Sequence, residues 1–245
     1  MKNTDKKEIN ISTFVDGDAQ DIASSDRTQV SPAVIKRLPR YFRYLRELIR
    51  MGKCRVSSSE LSRMMNVTAS QIRQDLNCFG GFGQQGYGYN VNYLYKKICE
   101  ILGVDREFTA ALIGVGNLGK ALVRSPMFEK RGVNVLALLD VSDKVVGSKL
   151  EGLTVHHMDE LERIFERYSI DIAILTLPKE NAVEIAERLE KTGIGGIWNF
   201  TGKELSLSNK SIEIENVHIG DSLMTLCYKI ARKKTTGDSS DNEKE

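Results

Sequence analysis

Ala110-Ala111-Leu112-Ile113-Gly114-Val115-Gly116-Asn117-Leu118-Gly119-Lys120-Ala121 joins a charge-free apolar run to three glycines spaced G-x-G-x-x-G. The run has the composition of a parallel strand buried on both faces. The first glycine permits a tight turn, the second lets a pyrophosphate approach the backbone, and the third lets the following helix pack closely. A helix beginning near Asn117 aims unpaired amides at that anion. Gly114, Val115, Gly116, Asn117, Leu118 and Gly119 are therefore the candidate phosphate-binding residues.

Val133 to Asp140 (VNVLALLD) is a second apolar run, and it ends on an acid about twenty residues past the glycines. A carboxylate at that strand tip accepts hydrogen bonds from both adenine-ribose hydroxyls and repels a 2′-phosphate, so Asp140 points to NAD(H) rather than NADP(H). Farther on, Gly152–Val155, Ile170–Leu177 and Gly196–Phe200 are apolar segments separated by helices expected over Met158–Tyr168 and Glu180–Thr192. Largely apolar runs alternating with amphipathic helices specify a doubly wound α/β domain, its parallel sheet covered on both faces. Thr176, Pro178 and Asn199 fall at the carboxyl ends of strands, where such a sheet presents its ligand, and are expected at the nicotinamide end. His156 and His157 lie in or beside the third strand segment, where a solvated pair is expected. A Rossmann-like domain without a ligand is the bland alternative, since glycine turns and strand-end Asp also serve structure alone.

A chain of 245 residues accommodates one large domain or two modest ones, each with its own core. No apolar run approaches the length of a membrane span and the first thirty residues lack an apolar signal core, so the expected location is the cytoplasm. The four cysteines, Cys54, Cys78, Cys99 and Cys227, form no C-x-x-C or His/Cys cluster, which argues against a structural metal and against a disulfide framework. Net charge of +2 conceals an asymmetry: residues 31–100 hold twelve Lys/Arg against four Asp/Glu, a balance of +8, leaving −6 for the remainder. A basic module built to meet a polyanion is joined to a domain that is not.

The basic module opens with Ser31-Pro32, a cap and first-turn pair for a helix reaching about Met51, whose apolar positions Val34, Ile35, Leu38, Tyr41, Phe42, Leu45, Leu48 and Ile49 form one stripe. Pro39 removes a backbone donor inside that helix and is expected to kink or restart it. A serine-capped helix within Val56–Met65 and a second helix capped by Thr68 are joined by about three residues, the pattern of a helix-turn-helix. Ile72 and Leu76 belong to its core, leaving Ser70, Gln71, Arg73 and Gln74 for a major groove. Thr68, Ser57 and Ser58 are candidates for phosphate contacts, with Arg43 on the first helix. In Phe79–Asn90 glycines alternate with aromatics and amides, which describes a small hairpin or wing, with Gln84, Gln85 and Tyr87 placed to touch backbone or minor groove. The alternative is a helical packing domain with a polar outer face.

These features divide the chain into a disordered extension (1–30), a winged-helix DNA-binding domain (31–103), an NAD(H)-binding domain (104–219), a terminal helix (220–232) and a disordered tail (233–245). The apolar residues of Asp221–Ala231 cover most of one helix face, which must be buried by its own domain or by a second chain.

The winged helix-turn-helix, the LIGVGNLG fingerprint and the apolar terminal helix together resemble the Rex family of redox-sensing transcriptional repressors. VTASQIRQDLNCFGGFGQQGYGYNV is close to that family's recognition helix and wing, and IKRLPRYFRYL, IWNF and ENVH are also similar. The resemblance covers Ser31 to Arg232. It implies a homodimer whose amino-terminal modules read a palindromic operator in double-stranded DNA, whose Rossmann domains sense the NADH/NAD⁺ balance, and whose terminal helix is exchanged between subunits. NADH is expected to loosen the grip on DNA, with no catalysis involved. This chain departs from many members at Gln74, where they carry Lys, at Gly81-Phe82-Gly83 and Gln85, where they carry Glu-Phe-Gly and Arg, and at His218, where some carry an acid that takes part in switching. Fewer charges on the recognition helix and wing flatten the expected salt dependence of DNA binding. An NAD-dependent dehydrogenase is the alternative; it needs a proton donor beside the hydride site, and His156, His157 and His218 form no catalytic constellation. A dimeric regulator controlled by another nucleotide, or by none, is the third alternative.

Overall fold

The computed structural model describes residues 30–80, 83–84 and 87–237, of which 83, 84 and 233–237 through their backbone alone; the expected disordered extension up to residue 29 and the tail from 238 lie outside the described residues. The chain divides into two compact units, the first ending at Ile98 and the second beginning at Cys99, slightly before the boundary expected at residue 103.

In the first unit, helix α1 (Pro32–Arg50) is capped by Ser31, whose side chain accepts from the Val34 amide, and it buries Val34, Leu38, Tyr41, Phe42, Leu45 and Leu48. It does not break at Pro39. That residue lies on the exposed side of the helix, so the Ile35 carbonyl that lacks its usual donor is on the watered face. Helix α2 (Ser58–Met65) starts with a capping box: the Ser57 hydroxyl accepts from the Glu60 amide and the Glu60 carboxylate accepts from the Ser57 amide. Asn66 closes it in the left-handed region at φ 51°. Thr68 then caps α3 (Ala69–Asn77) by accepting from the Gln71 amide. Leu61, Met65, Ile72 and Leu76 are fully buried, each contributing roughly 1.5–3 kcal/mol of apolar burial. Strands β1 (Arg55–Val56), β2 (Gly83–Gln84) and β3 (Gly88–Asn90) form an antiparallel sheet in the order β1-β3-β2. Gly88 is required there: its φ is +71° and a Cβ would stand 2.7 Å from the Val56 carbonyl oxygen. Helix α4 (Val91–Leu102) follows, its Tyr95 ring stacked on Phe42 with centroids 5.2 Å apart.

The second unit runs β4 (Phe108–Ile113), α5 (Asn117–Val123), β5 (Val133–Asp140), β6 (Lys149–Leu150), β7 (Leu153–His157), α6 (Leu161–Tyr168), β8 (Ile172–Leu175), α7 (Ala182–Glu190), β9 (Gly196–Asn199), β10 (Glu213–Asn216) and α8 (Ile219–Gly237). The sheet order is β10-β9-β8-β4-β5-β7-β6, parallel throughout except that β6 runs antiparallel to β7. Alternate residues of β4 feed opposite cores. Ala111 and Ile113 join Ile164, Phe165, Ile185 and Leu189 of α6 and α7, whereas Ala110 and Leu112 join Phe128, Leu138 and Ile174. Between β4 and its neighbours β5 and β8 the winding reverses, and the carboxyl ends of these strands open a crevice.

Two elements differ from the sequence reading. Strand β10 was not expected, because Glu213-Ile214-Glu215 alternates charge with one apolar face, the pattern of a sheet edge rather than of a doubly buried run. Helix α8 extends past Arg232 to Gly237, so residues 233–237 belong to it and not to a disordered tail. Its Ile219, Leu223, Leu226 and Ile230, spaced four, three and four residues apart, are 47–61% exposed, and Met224 and Tyr228 are each 63% exposed.

Candidate functional site

At the crevice of the second unit the three glycines have separate structural reasons. Gly114 adopts φ +97°, and a Cβ there would meet the Leu177 amide nitrogen at 2.7 Å and the Thr176 carbonyl carbon at 2.8 Å, so any side chain would push β4 off the loop after β8. A Cβ on Gly119 would meet the Gly114 carbonyl oxygen at 2.3 Å, which is why α5 can pack so closely. Gly116 is different: it is exposed, it has nothing within 4 Å of its Cβ position, and it heads α5 without a side-chain cap. A glycine that faces open space just before a helix's first turn leaves the backbone approachable by an anion. Asn117 is exposed beside it and Leu118 is half-buried.

Asp140 stands at the tip of β5, and both its oxygens are engaged. Oδ2 accepts from the Val115 amide at 2.6 Å and Oδ1 from the Ser142 amide at 2.8 Å. The carboxylate thus fixes the glycine loop, and Val115, fully buried, directs its amide to Asp140 rather than to a ligand. A carboxylate has about four lone-pair sites, so two remain for hydroxyl donors. Thr176, half-buried after β8, donates its hydroxyl to the Gly114 carbonyl at 2.6 Å and locks the loop from the other side.

A cavity of about 300 Å³ opens between these strand tips, lined by Gly114, Asp140, His157, Pro178, Asn181 and Arg188 among others. Asp140 and Pro178, which the sequence reading assigned to opposite ends of a dinucleotide, share its wall. His157 pairs with Asp140 in register across β5 and β7, so it belongs to the cavity and is not part of a solvated pair remote from the ligand. Arg188 is held by a bidentate pair with Glu162, both distances 2.8 Å, and by the Met158 carbonyl at 2.9 Å; the guanidinium keeps the Glu162 carboxyl below the usual carboxylate range.

Asn199 requires correction. It is 1% exposed, its amide donates to the Lys203 carbonyl at 2.6 Å and to Asn216 Oδ1 at 2.7 Å, and its oxygen accepts from the Thr201 amide and hydroxyl. All four side-chain hydrogen-bonding positions are filled within the protein, so the Asn199 amide braces the β9–β10 edge and has no free group for a ligand. Asn216 passes the network to Glu204, whose other oxygen lies 2.8 Å from His218 Nε2, directly ahead of α8.

On the first unit, Ser70, Arg73 and Gln74 are exposed on α3, as expected of a reading face, and Arg43 is exposed on α1. Gln71 is not free: its amide donates to Asp75 Oδ1 at 2.8 Å. Ser57 is half-buried in its capping box, and the Ser58 hydroxyl accepts from Arg73 Nη1 at 3.3 Å. Thr68 is exposed as the α3 cap. Tyr87 is 69% exposed at the wing turn; Gln84 is placed by its backbone in β2, and Gln85 lies outside the described residues.

The sequence reading missed what holds α3. Asp75 is fully buried and accepts from Arg37 Nε and Nη2, both at 2.7 Å, from the Tyr41 hydroxyl at 2.9 Å and from Gln71. Burial drives its carboxyl upward, but donation from Arg37, Gln71 and Tyr41 more than offsets this and leaves it below its ordinary value. Burial, reinforced by Asp75, raises the Tyr41 hydroxyl. A single acid in an otherwise uncharged or basic helix was the only sequence signal, and it does not name partners more than thirty residues away.

Residues 29–77 match a family profile described as "Putative DNA-binding protein N-terminus", and residues 105–202 match one described as "CoA binding domain". The redox-sensing transcriptional repressor Rex of Caldicellulosiruptor saccharolyticus is 46% identical over 207 residues, covering 84% of this chain and 94% of that protein. The repressor of the same name from Thermoanaerobacter pseudethanolicus is 49% identical over 206 residues, covering 84% and 92%. The chain belongs to the Rex family. Among solved structures, RSP, a Rex-family repressor, in complex with β-NAD⁺ and operator DNA matches with a TM-score of 0.79 and 46% identity, covering 88% of this chain and 99% of that one. The same repressor in complex with β-NADH matches at 0.80 and 44%, covering 87% and 100%. Rex membership bears out the expected architecture, an amino-terminal DNA-binding unit followed by a Rossmann-like sheet, and does not favour a dehydrogenase. Among the described residues no group of three or more His, Cys, Asp or Glu is arranged to hold a metal ion, and no helix is long and apolar enough to cross a membrane.

Proposed function

We propose that this chain is an NADH-responsive repressor: a homodimer that grips palindromic operator DNA through α3 and the wing and lets go when NADH occupies its second unit. The observation that carries the reading is the presence, in one chain, of a helix-turn-helix with an exposed polar reading face and a crevice whose open glycine stands beside a strand-tip carboxylate. Gly116, Asn117, Leu118 and Gly119 are assigned to the pyrophosphate. Asp140 is assigned to the adenosine ribose, and Pro178, which shares its cavity, moves with it to that end. Val115 and Thr176 shape the loop and Asn199 braces the sheet edge, so their roles in binding are indirect.

The coenzyme supplies a ring whose two oxidation states differ by one hydride and one positive charge. For occupancy by the reduced form to release DNA, the protein must favour the released arrangement by several kcal/mol over the two sites; a tight ligand with no such preference shifts nothing. Ile219, Leu223, Leu226 and Ile230 on α8 give the dimer its apolar seam, each worth roughly 1.5–3 kcal/mol when removed from water. Ser70, Arg73 and Gln74 are assigned to the major groove, with Arg43, Ser58, Thr68 and the wing contacting backbone. Fluorescence titration tests the ligand: NADH should quench Trp198, the single tryptophan, saturably, with NADPH much weaker. Equal affinity for the two would remove the role given to Asp140.

A further inference from the structure

The wing sheet carries a cation outside the assigned DNA contacts. Arg55 is exposed on β1 and precedes buried Val56, so strand alternation turns its side chain outward. Its guanidinium carbon lies 5.8 Å from the centroid of the Tyr87 ring, and its Nη1 donates to the Tyr87 carbonyl at 3.3 Å. Exposed arginines ordinarily sample many rotamers. Here an aromatic face and a carbonyl favour one placement of the fork before any ligand arrives. Among the described residues no carboxylate pairs with Arg55, and one of its five N–H donors is engaged, which leaves an edge matched to two oxygens of one phosphate. Arg73 of α3 reaches the residues just after β1: its Nη1 donates to the Ser58 hydroxyl, three positions past Arg55.

We infer that Arg55 is a phosphate contact of the DNA-binding surface, held ready by Tyr87 at the root of the wing. The inference rests on the reading of the first unit as a duplex binder and adds to it a residue from outside both the recognition helix and the wing loop. Its rival is a purely internal role, in which Arg55 staples the wing turn and touches no DNA.

Salt dependence separates the two. The full-length wild type, Arg55→Ala, Arg55→Gln and Arg55→Lys are titrated by anisotropy, across a salt series, onto one duplex that the wild type enriches from a randomised pool. Each phosphate neutralised contributes about 0.9 to the slope of log affinity against log salt. The Ala and Gln variants should bind more weakly at low salt and lose about 0.9 of slope, the Lys variant should keep the wild-type slope, and NADH affinity should be unchanged in all three. Gln retains a donor for the Tyr87 carbonyl without the charge, so its lost slope supports a phosphate contact even if the Ala variant melts early. Weaker binding at an unchanged slope in the Gln variant makes Arg55 a staple and overturns the inference, as does unchanged affinity. A wild type that enriches no duplex overturns the DNA-binding reading itself.

Discussion

Asp75→Asn removes one charge from the first unit and almost nothing from its shape. The wild-type carboxylate accepts four hydrogen bonds, two of them from Arg37, and is fully buried. An amide keeps one oxygen as acceptor and turns its NH₂ toward donors, so part of the network becomes donor against donor. Stranding a fully buried partner costs about 3–5 kcal/mol, and Arg37 at 25% exposure keeps some water, so the expected loss is roughly 2–4 kcal/mol. That loss falls on α3 and its anchor α1. Hydrogen exchange at the α3 amides should accelerate about thirty-fold or more at pH 7, and duplex affinity should drop with it. The Trp198 unfolding signal, which arises in the second unit, should shift less than the α3 exchange does. The pH dependence has a definite sign. Because the folded carboxyl lies below its ordinary value, its contribution is complete above the unfolded carboxyl pKa of about 4 and disappears as pH falls through the lower folded value. The gap between wild type and variant should therefore be constant near neutrality and close in acid. Wild-type exchange rates for α3 in the variant at pH 7 would refute the reasoning.

Other perturbations act on the second unit. Gly119→Ala drives a methyl to 2.3 Å from the Gly114 carbonyl, so calorimetry should show that unit destabilised by roughly 1–3 kcal/mol and titration should show NADH affinity reduced. Asp140→Ala frees the Val115 and Ser142 amides as well as removing the ribose acceptor; NADH affinity should fall at least about tenfold (~1.4 kcal/mol) and the preference over NADPH should narrow, with equilibrium dialysis as the check. Leu226→Arg places a charge on the exposed stripe of α8, and sedimentation velocity should then report monomers where the wild type gives dimers.

Much of this was legible because it is local. The apolar runs of β4 and β5, the glycine spacing between β4 and α5, a serine cap ahead of α2 and the cap Thr68 each need only a few neighbouring residues to be read. What stayed hidden depends on distance or on sidedness. Asp75 meets Arg37 across 38 residues, so its role exists only once α1 and α3 are packed. Asn199 is polar at a strand tip, which suggested a ligand, but burial and four internal hydrogen bonds give it a structural task instead. Pro39 was read as a helix defect, yet the solvated side of α1 tolerates it. The end of α8 was misplaced because apolar periodicity stops before the helix does, and the lysines that follow are good helix formers.

The most direct measurement is a gel shift of the full chain on an inverted-repeat promoter duplex with NAD⁺ and NADH varied independently at fixed salt. NADH should dissociate the complex while NAD⁺ leaves it intact or tightens it, and the midpoint should follow the NADH/NAD⁺ ratio rather than the total concentration. Identical retention of the duplex with either form of the coenzyme, at concentrations that saturate Trp198 quenching, would contradict the coupling between the two units.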